Sequence, residues 1–218
     1  AVQLPGIIEA EEGSTAQALL EAAGGVQEGS AFKAFIVGDP LGYITADMDT
    51  DLSKNVGSGR ITVLSDKSCI LDVLKLSLGC LAKQACGKCT LCREGVRQMA
   101  MLVDGMTNGR GRADDIELLR EVAEVIQEGA SCGFGRLAAG MTLTAMNVFG
   151  AEFEGHLRRK RCDAMVCRQY TSFHILGAKC TGCGECIDVC PRDAIDGEED
   201  YIHVINQADC NRCGKCIE

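Results

Sequence analysis

Cys180-Thr181-Gly182-Cys183-Gly184-Glu185-Cys186-Ile187-Asp188-Val189-Cys190-Pro191 is the stretch on which the reading of this chain turns. Three thiols at positions i, i+3 and i+6 can wrap one loop around three corners of an iron–sulfur cubane. A fourth cysteine followed by proline points to a second cluster. The pattern returns thirty residues on as Cys210-x2-Cys213-x2-Cys216, and Ile187 returns as Ile217. The segment is therefore an internal duplication. Gly182 and Gly184 leave room for backbone N–H groups to approach sulfur, which stabilises the negative charge of a cluster. The repeated spacing is far more specific for iron–sulfur than for zinc or disulfides.

Counting ligands exposes a gap. One set takes Cys210, Cys213 and Cys216 with the crossing Cys190 and is complete. The other takes Cys180, Cys183 and Cys186 and needs a crossing cysteine two residues past Glu218. The expectation is a sequence cut short at its C-terminus; a three-iron cluster or a non-cysteine ligand is the alternative.

Working outward, the chain has 218 residues and 15 cysteines, with none in the first 68 positions. Residues 1–6 carry no basic stretch and no apolar run of the secretory kind. Cysteines this dense without such a segment are expected to be metal ligands in a cytoplasmic chain rather than disulfides. No run of 18 apolar residues occurs, so no transmembrane helix is predicted. A formal charge of −9 and a pI near 4.9 argue against nucleic acid and anionic membranes as partners.

A second motif lies upstream: Ala85-Cys86-Gly87-Lys88-Cys89-Thr90-Leu91-Cys92-Arg93-Glu94-Gly95, followed by Cys132 in Ser131-Cys132-Gly133-Phe134-Gly135. Three cysteines in the same rhythm plus one distant return suit a 4Fe-4S cube, although the spacing alone leaves zinc open. Val96, Met99, Ala100, Val103 and Met106 follow at helical spacing. A helix opened by Asp114 and Asp115 carries Leu118, Leu119, Val122, Val125 and Ile126. A last helix carries Leu137, Met141, Ala145, Val148, Phe149 and Phe153. These predict a bundle of three or four helices, with the methionines as core. The cysteine-free start predicts a small α+β module. It has a helix over 15–23 capped by Ser14, with Leu19 and Leu20 inward, and Gly24-Gly25 as its stop. Strands are predicted over 32–37, closed by Gly38-Asp39-Pro40, and over 61–64.

Residues 1–157 resemble the C-terminal half of the NADH-binding flavoprotein subunit of complex I and of NAD-linked hydrogenases. That family's bundle carries S-C-G-x-C-x-P-C-R-x-G and a distant cysteine. Cys86, Cys89, Cys92 and Cys132 fall on its four ligands, while Ala85 and Leu91 replace a serine and a proline that are not ligands. The duplicated end is similar to the bacterial two-cluster ferredoxin module appended in electron-bifurcating hydrogenases and formate dehydrogenases. The resemblance implies an α+β chain: a ubiquitin-like β-grasp domain of the SLBB type over 1–68 and a 4Fe-4S helical bundle over 69–157. A linker with a zinc site over 158–179 and a two-cluster ferredoxin domain over 180–218 complete it. It implies three 4Fe-4S clusters and electron transfer within an NAD(P)H-linked, electron-bifurcating type of oxidoreductase. The implied partners are flavin-bearing and other iron–sulfur subunits and a soluble ferredoxin. The family's glycine-rich flavin segment has no counterpart: Gly57-Ser58-Gly59 and Gly109-Arg110-Gly111 lack a strand–glycine–helix setting. FMN is thus expected on a missing domain or a partner, and the chain is not expected to be active alone.

Four cysteines remain. His156, Cys162 and Cys167 form H-x5-C-x4-C at the joint where the bifurcating relatives resemble a zinc site. With His203 as fourth ligand they would suit Zn²⁺. Cys69 and Cys80 are expected to be buried free thiols, and His174 has no evident partner. The basic run Arg158-Arg159-Lys160-Arg161 complements a helix C-terminus. The reading from another class is a metal-stabilised structural or assembly subunit without redox turnover.

Overall fold

The computed structural model describes residues 2–52 and 57–217. Glu218, from which the missing crossing ligand is counted, lies outside them, as does Ala1. The chain is α+β and divides into two units, one ending at Gln169 and the other starting at Tyr170. Cys162 and Cys167 lie in the first unit.

The first unit opens with helix α1 (Ala16–Ala22). Its cap is Thr15, not Ser14: the Thr15 hydroxyl accepts from the Ala18 N–H, while Ser14 turns back to donate to the Glu11 carbonyl. Gly24 and Gly25 both take positive φ, and their N–H groups close on Glu21 and Leu20. Three antiparallel strands follow, β1 (Phe32–Val37), β2 (Tyr43–Thr45) and β3 (Ile61–Ser65), in the order β2-β1-β3. The three-residue β2 is too short to carry an alternation readable in sequence. Phe35 and Val37 pack on Ala16, Leu20 and Leu52.

Four helices complete the unit: α2 (Ile70–Gln84), α3 (Thr90–Thr107), α4 (Asp115–Gly129) and α5 (Gly133–Leu157). Leu74, Leu78 and Leu81 of α2 and Val96, Met99, Val103 and Met106 of α3 are fully enclosed. Each such side chain contributes roughly 1.5–3 kcal/mol of burial. Gly95 lets α3 approach α4, since a Cβ there would sit 2.5 Å from Ile126 Cδ1. The buried row of α4 is Leu119, Ala123 and Ile126. Leu118 and Val125 face solvent, as do Leu137 and Val148 of α5. A helix on the outside of the bundle buries one stripe, so apolar residues about 100° off that stripe are left exposed. Cys80 is likewise exposed rather than buried, with Gln84 Nε2 donating to its sulfur at 3.2 Å.

Sheet and bundle are joined within this unit by polar contacts that span long stretches of sequence. The Ile44 N–H donates to Thr144 Oγ1 at 3.0 Å, which occupies part of the β2 edge. Lys33 Nζ meets Glu152 Oε1 at 2.6 Å and also donates to the Ser68 carbonyl. Glu152 Oε2 accepts the Ile70 N–H at the start of α2. Helix α5 bends at Phe149 (φ −121°, ψ 30°), and the turns beyond the bend carry Glu152 and His156.

The second unit is mostly loop. It holds the short helix α6 (Glu185–Asp188), a 3-10 turn over Lys215–Ile217, and a two-stranded ribbon of β4 (Ile195–Asp196) and β5 (Val204–Ile205), with Ile195 opposite Ile205. Its enclosed side chains are few, chiefly Ala194, Ile195, Ile205 and His203. A unit this small cannot be held by that core alone, and metal coordination is the usual staple.

Candidate metal centres

At the first centre the cysteines sit where two helices begin. Cys89 is the N-cap of α3 and Cys132 the N-cap of α5, with Cys92 in the first turn of α3. Helix N-termini present unpaired N–H groups and partial positive charge, which favour thiolates. Hydrogen bonds from the Ser131 and Cys92 backbones lower the Cys89 thiol to about 7. Burial raises Cys92, and the neighbouring Cys132, Cys89 and Cys86 raise it further, so all four lie within electrostatic reach. Two arginines hold the loops: Arg93 Nη1 donates to the Gly87 carbonyl at 2.8 Å, and Arg136 Nε to the Ala130 carbonyl at 2.9 Å. Gly135 is required by close approach, since a Cβ would lie 2.8 Å from Ala130 Cβ and 3.3 Å from Cys92 Sγ. An all-thiolate set fits either zinc or an iron–sulfur cluster.

In the second unit the sulfurs fall into two sets. Burial raises Cys216, with Cys210, Cys213 and Cys190 adding to the rise. Those same four line one small cavity. Cys190 thus stands with the second loop, across the repeat. Burial likewise raises Cys186, with Cys183 and Cys180 of its own loop and then Cys216 of the other adding to the rise. Backbone N–H groups reach sulfur from Ala194 to Cys190 at 3.3 Å and from Arg212 to Cys210 at 3.4 Å, the kind of bond that tunes a cluster. Gly182 takes φ +76° and packs on the Asp200 backbone, where a Cβ would come within 2.6 Å.

The third centre departs from the sequence expectation. Cys69, His156, Cys162 and Cys167 are all buried, and their ligand atoms lie within 4.8 Å of one another. Among the described residues this is the one group of three or more Cys, His, Asp or Glu so arranged. Cys69 Sγ is 3.4 Å from His156 Nε2 and 3.7 Å from Cys167 Sγ. A tetrahedral zinc with ordinary bond lengths gives edges of about 3.5 Å for S···N and about 3.8 Å for S···S. His156 Nδ1–H donates to the Glu152 carbonyl at 2.8 Å, turning Nε2 inward as a ligand must be turned. Without metal, burial pulls His156 down, but hydrogen bonds with Cys162 and Cys69 outweigh it and push the ring up to about 10. Hydrogen bonds from Cys167 and Cys69 hold Cys162 far below the thiol range. A buried thiolate and imidazolium left to themselves are expensive, and a divalent cation offsets that cost.

The fourth donor grouped with His156, Cys162 and Cys167 is Cys69, where the sequence expectation is His203. His203 belongs to the second unit, with Nδ1 3.7 Å from Cys180 Sγ. Cys69 is buried as expected but is not an isolated core thiol. It is the N-cap of α2, 87 positions from His156, and no local spacing joins the two. A usable signal is that H-x5-C-x4-C supplies three donors and leaves Cys69 or Cys80 as the fourth; only the fold selects between them. His174 has a partner after all, Ser172 Oγ at 3.2 Å from its Nε2. No helix among the described residues is long and apolar enough to cross a membrane.

Comparison with known proteins finds iron–sulfur domains and subunits of NAD(P)H-linked oxidoreductases. The chain is 34% identical over 213 residues to NADP-reducing hydrogenase subunit HndC of Solidesulfovibrio fructosivorans, covering 93% of this chain and 44% of that protein. It is 30% identical over 172 residues to the NADH-quinone oxidoreductase F 2 subunit of Rhizobium meliloti, covering 74% and 41%. The chain thus spans less than half the length of these relatives. The fold is similar to that in a crystal structure of NAD+-reducing [NiFe]-hydrogenase in the H2-reduced state, with a TM-score of 0.63 at 22% identity over 72% of this chain and 28% of that one. Residues 72–156 match the NADH-ubiquinone oxidoreductase-F iron-sulfur binding region, and residues 174–218 match the 4Fe-4S dicluster domain.

Proposed function

We propose that this chain carries electrons through three 4Fe-4S clusters as part of a multi-subunit NAD(P)H-linked oxidoreductase. Cys86, Cys89, Cys92 and Cys132 hold the bundle cluster; Cys190, Cys210, Cys213 and Cys216 hold a second; Cys180, Cys183 and Cys186 hold a third. The observation that carries this reading is the crossing of Cys190 to the second loop, beside Cys210, Cys213 and Cys216. Paired clusters that exchange a ligand between repeats are an electron-transfer arrangement. When bound, the clusters supply one-electron chemistry. The protein supplies thiolates, N–H groups aimed at sulfur, and burial, which together set the potentials.

The sheet and α1 are read as an SLBB-type β-grasp domain over 1–68, with the bundle over 69–157 and the ferredoxin domain over 180–218. FMN and the nicotinamide would sit on a flavin-bearing domain or subunit that exchanges electrons with the bundle cluster. A soluble ferredoxin or another iron–sulfur subunit would meet the ferredoxin domain. Zn²⁺ would be held by Cys69, His156, Cys162 and Cys167, where it does no redox chemistry and ties α2 and α5 to the segment beyond them. The test is anaerobic purification of the full-length protein with iron, sulfide and zinc analysis and EPR of the reduced form. About twelve irons and one zinc per chain are expected. A colourless protein without reducible iron would end the electron-transfer reading.

A further inference from the structure

The duplication that places two cysteine loops in the second unit also places two aromatic rings, and at this pair the repeats differ. Phe173 stands seven residues before Cys180, and His203 stands seven residues before Cys210. Ile175 with Ile205, and Ala178 with Ala208, keep the two segments in register. Each ring crosses to the other repeat's loop. His203 Nδ1 lies 3.7 Å from Cys180 Sγ. Phe173 lines the cavity it shares with Cys190, Cys210, Cys213 and Cys216. Equivalent places beside two sets of sulfurs thus hold a hydrogen-bonding ring on one side and an inert ring on the other.

The His203 ring is fixed in this pose. It is only 2% exposed, and Gly197 packs so closely that a Cβ there would fall 1.9 Å from its Cδ2. Its Nε2 is buried and has no partner among the described residues. That orphan decides the tautomer. A buried N–H without an acceptor costs more than a lone pair without a donor, since unpaired donors are the rarer fault in folded proteins. Nδ1 therefore carries a proton, and Nδ1–H donates to Cys180 Sγ. Phe173 has nothing to donate. Backbone N–H···S bonds arise from the loop conformation itself, whereas this bond depends on one side chain that the two repeats do not share.

We propose that His203 is a positioning residue that raises the reduction potential of the cluster on Cys180, Cys183 and Cys186, and that Phe173 withholds the same bond from its twin. The exchange of one ring for the other is then a device that sets the two potentials independently. The inference rests on the proposed pair of 4Fe-4S clusters. Its physical basis is that one-electron reduction adds negative charge shared by the sulfurs, so a donor to sulfur is stronger in the reduced state than in the oxidised one.

The experiment is an EPR-monitored redox titration of the full-length protein, with dithionite as the electron source. The two signals are assigned by Cys183→Ser, which perturbs only the Cys180 loop. His203→Phe is expected to make that cluster about tenfold harder to reduce, a fall of about 59 mV for one electron, and to leave the other unmoved. His203→Asn, whose amide N–H can stand near the place of Nδ1, is expected to recover part of the shift. Phe173→His is expected to raise the potential of the other cluster in the same way. Iron content equal to wild type shows that each variant is folded and loaded. If His203→Phe moves neither potential, or both equally, at full iron content, the inference is overturned and the two-cluster reading stands. If the wild-type protein shows no second pair of reducible clusters beside the bundle signal, the reading beneath it falls as well.

Discussion

Replacing Cys69 by serine removes one of four buried donors, and the geometry sets the size of the loss. Cys69 Sγ is 3.4 Å from His156 Nε2 and 3.7 Å from Cys167 Sγ, which places it at a full corner of the proposed zinc tetrahedron. Structural zinc sites of four ligands are worth about 10–16 kcal/mol of apparent binding energy. Shared over four donors, one thiolate accounts for roughly 3–4 kcal/mol, or about two to three powers of ten in affinity. At zinc concentrations that saturate the wild type, the same amount is withdrawn from folding stability. For a unit of this size that lowers the melting temperature by about 10 °C. The assay is zinc competition against a chromophoric chelator, with thermal unfolding followed in excess zinc and in excess chelator. Cys80→Ser, on the exposed side of α2, and His203→Ala serve as controls and are expected to leave zinc affinity at the wild-type value. Wild-type zinc affinity in Cys69→Ser, or loss of zinc in His203→Ala, would refute the assignment.

Three further outcomes follow from other residues. Gly135→Ala forces a Cβ against Ala130 and Cys92 Sγ, and overpacking of this kind costs about 1–3 kcal/mol; iron per chain should fall by about one cluster while zinc is retained. Met99→Ala opens a cavity at a fully enclosed position in α3 and should cost about 2–5 kcal/mol in urea unfolding, against near zero for exposed Met101→Ala. In metal-free protein the Cys89 thiolate should be half formed near pH 7, because the Ser131 and Cys92 backbones hold its thiol to about 7. Alkylation mapped by mass spectrometry should therefore rise at Cys89 as the pH passes through about 7. The linkage has the matching sign: the stabilisation is present above the ordinary thiol range and is lost as pH falls through about 7.

Much of this molecule was legible before any coordinates. The strand over Phe32–Val37 is a short apolar run covered on both faces, and the buried row of α3 has a period of 3.6; local sequence carries both. The iron–sulfur loops were legible for a similar reason: three thiols within seven residues are a local wrap, so spacing alone brings them together. The α4 stripe was only half right, because apolar residues mark a helix as amphipathic without saying which flank the bundle covers. Ser14 and Thr15 are both good caps, and the choice of Thr15 depends on the turn that draws Ser14 back to Glu11.

Residue types and spacing by themselves thus marked the cysteine loops and the longer amphipathic helices of the bundle. Tertiary structure alone decided what stands beside what across long separations. Cys69 joins His156 because Glu152 draws the start of α2 to α5, accepting the Ile70 N–H with its side chain and the His156 ring with its carbonyl. His203 faces Cys180 because the repeated halves of the second unit cross over one another. The physical reason is the range of the forces. Periodicity and loop ligation act within a turn or two of the chain. A buried side chain instead takes its partners from whichever segments the packing of the core brings to it.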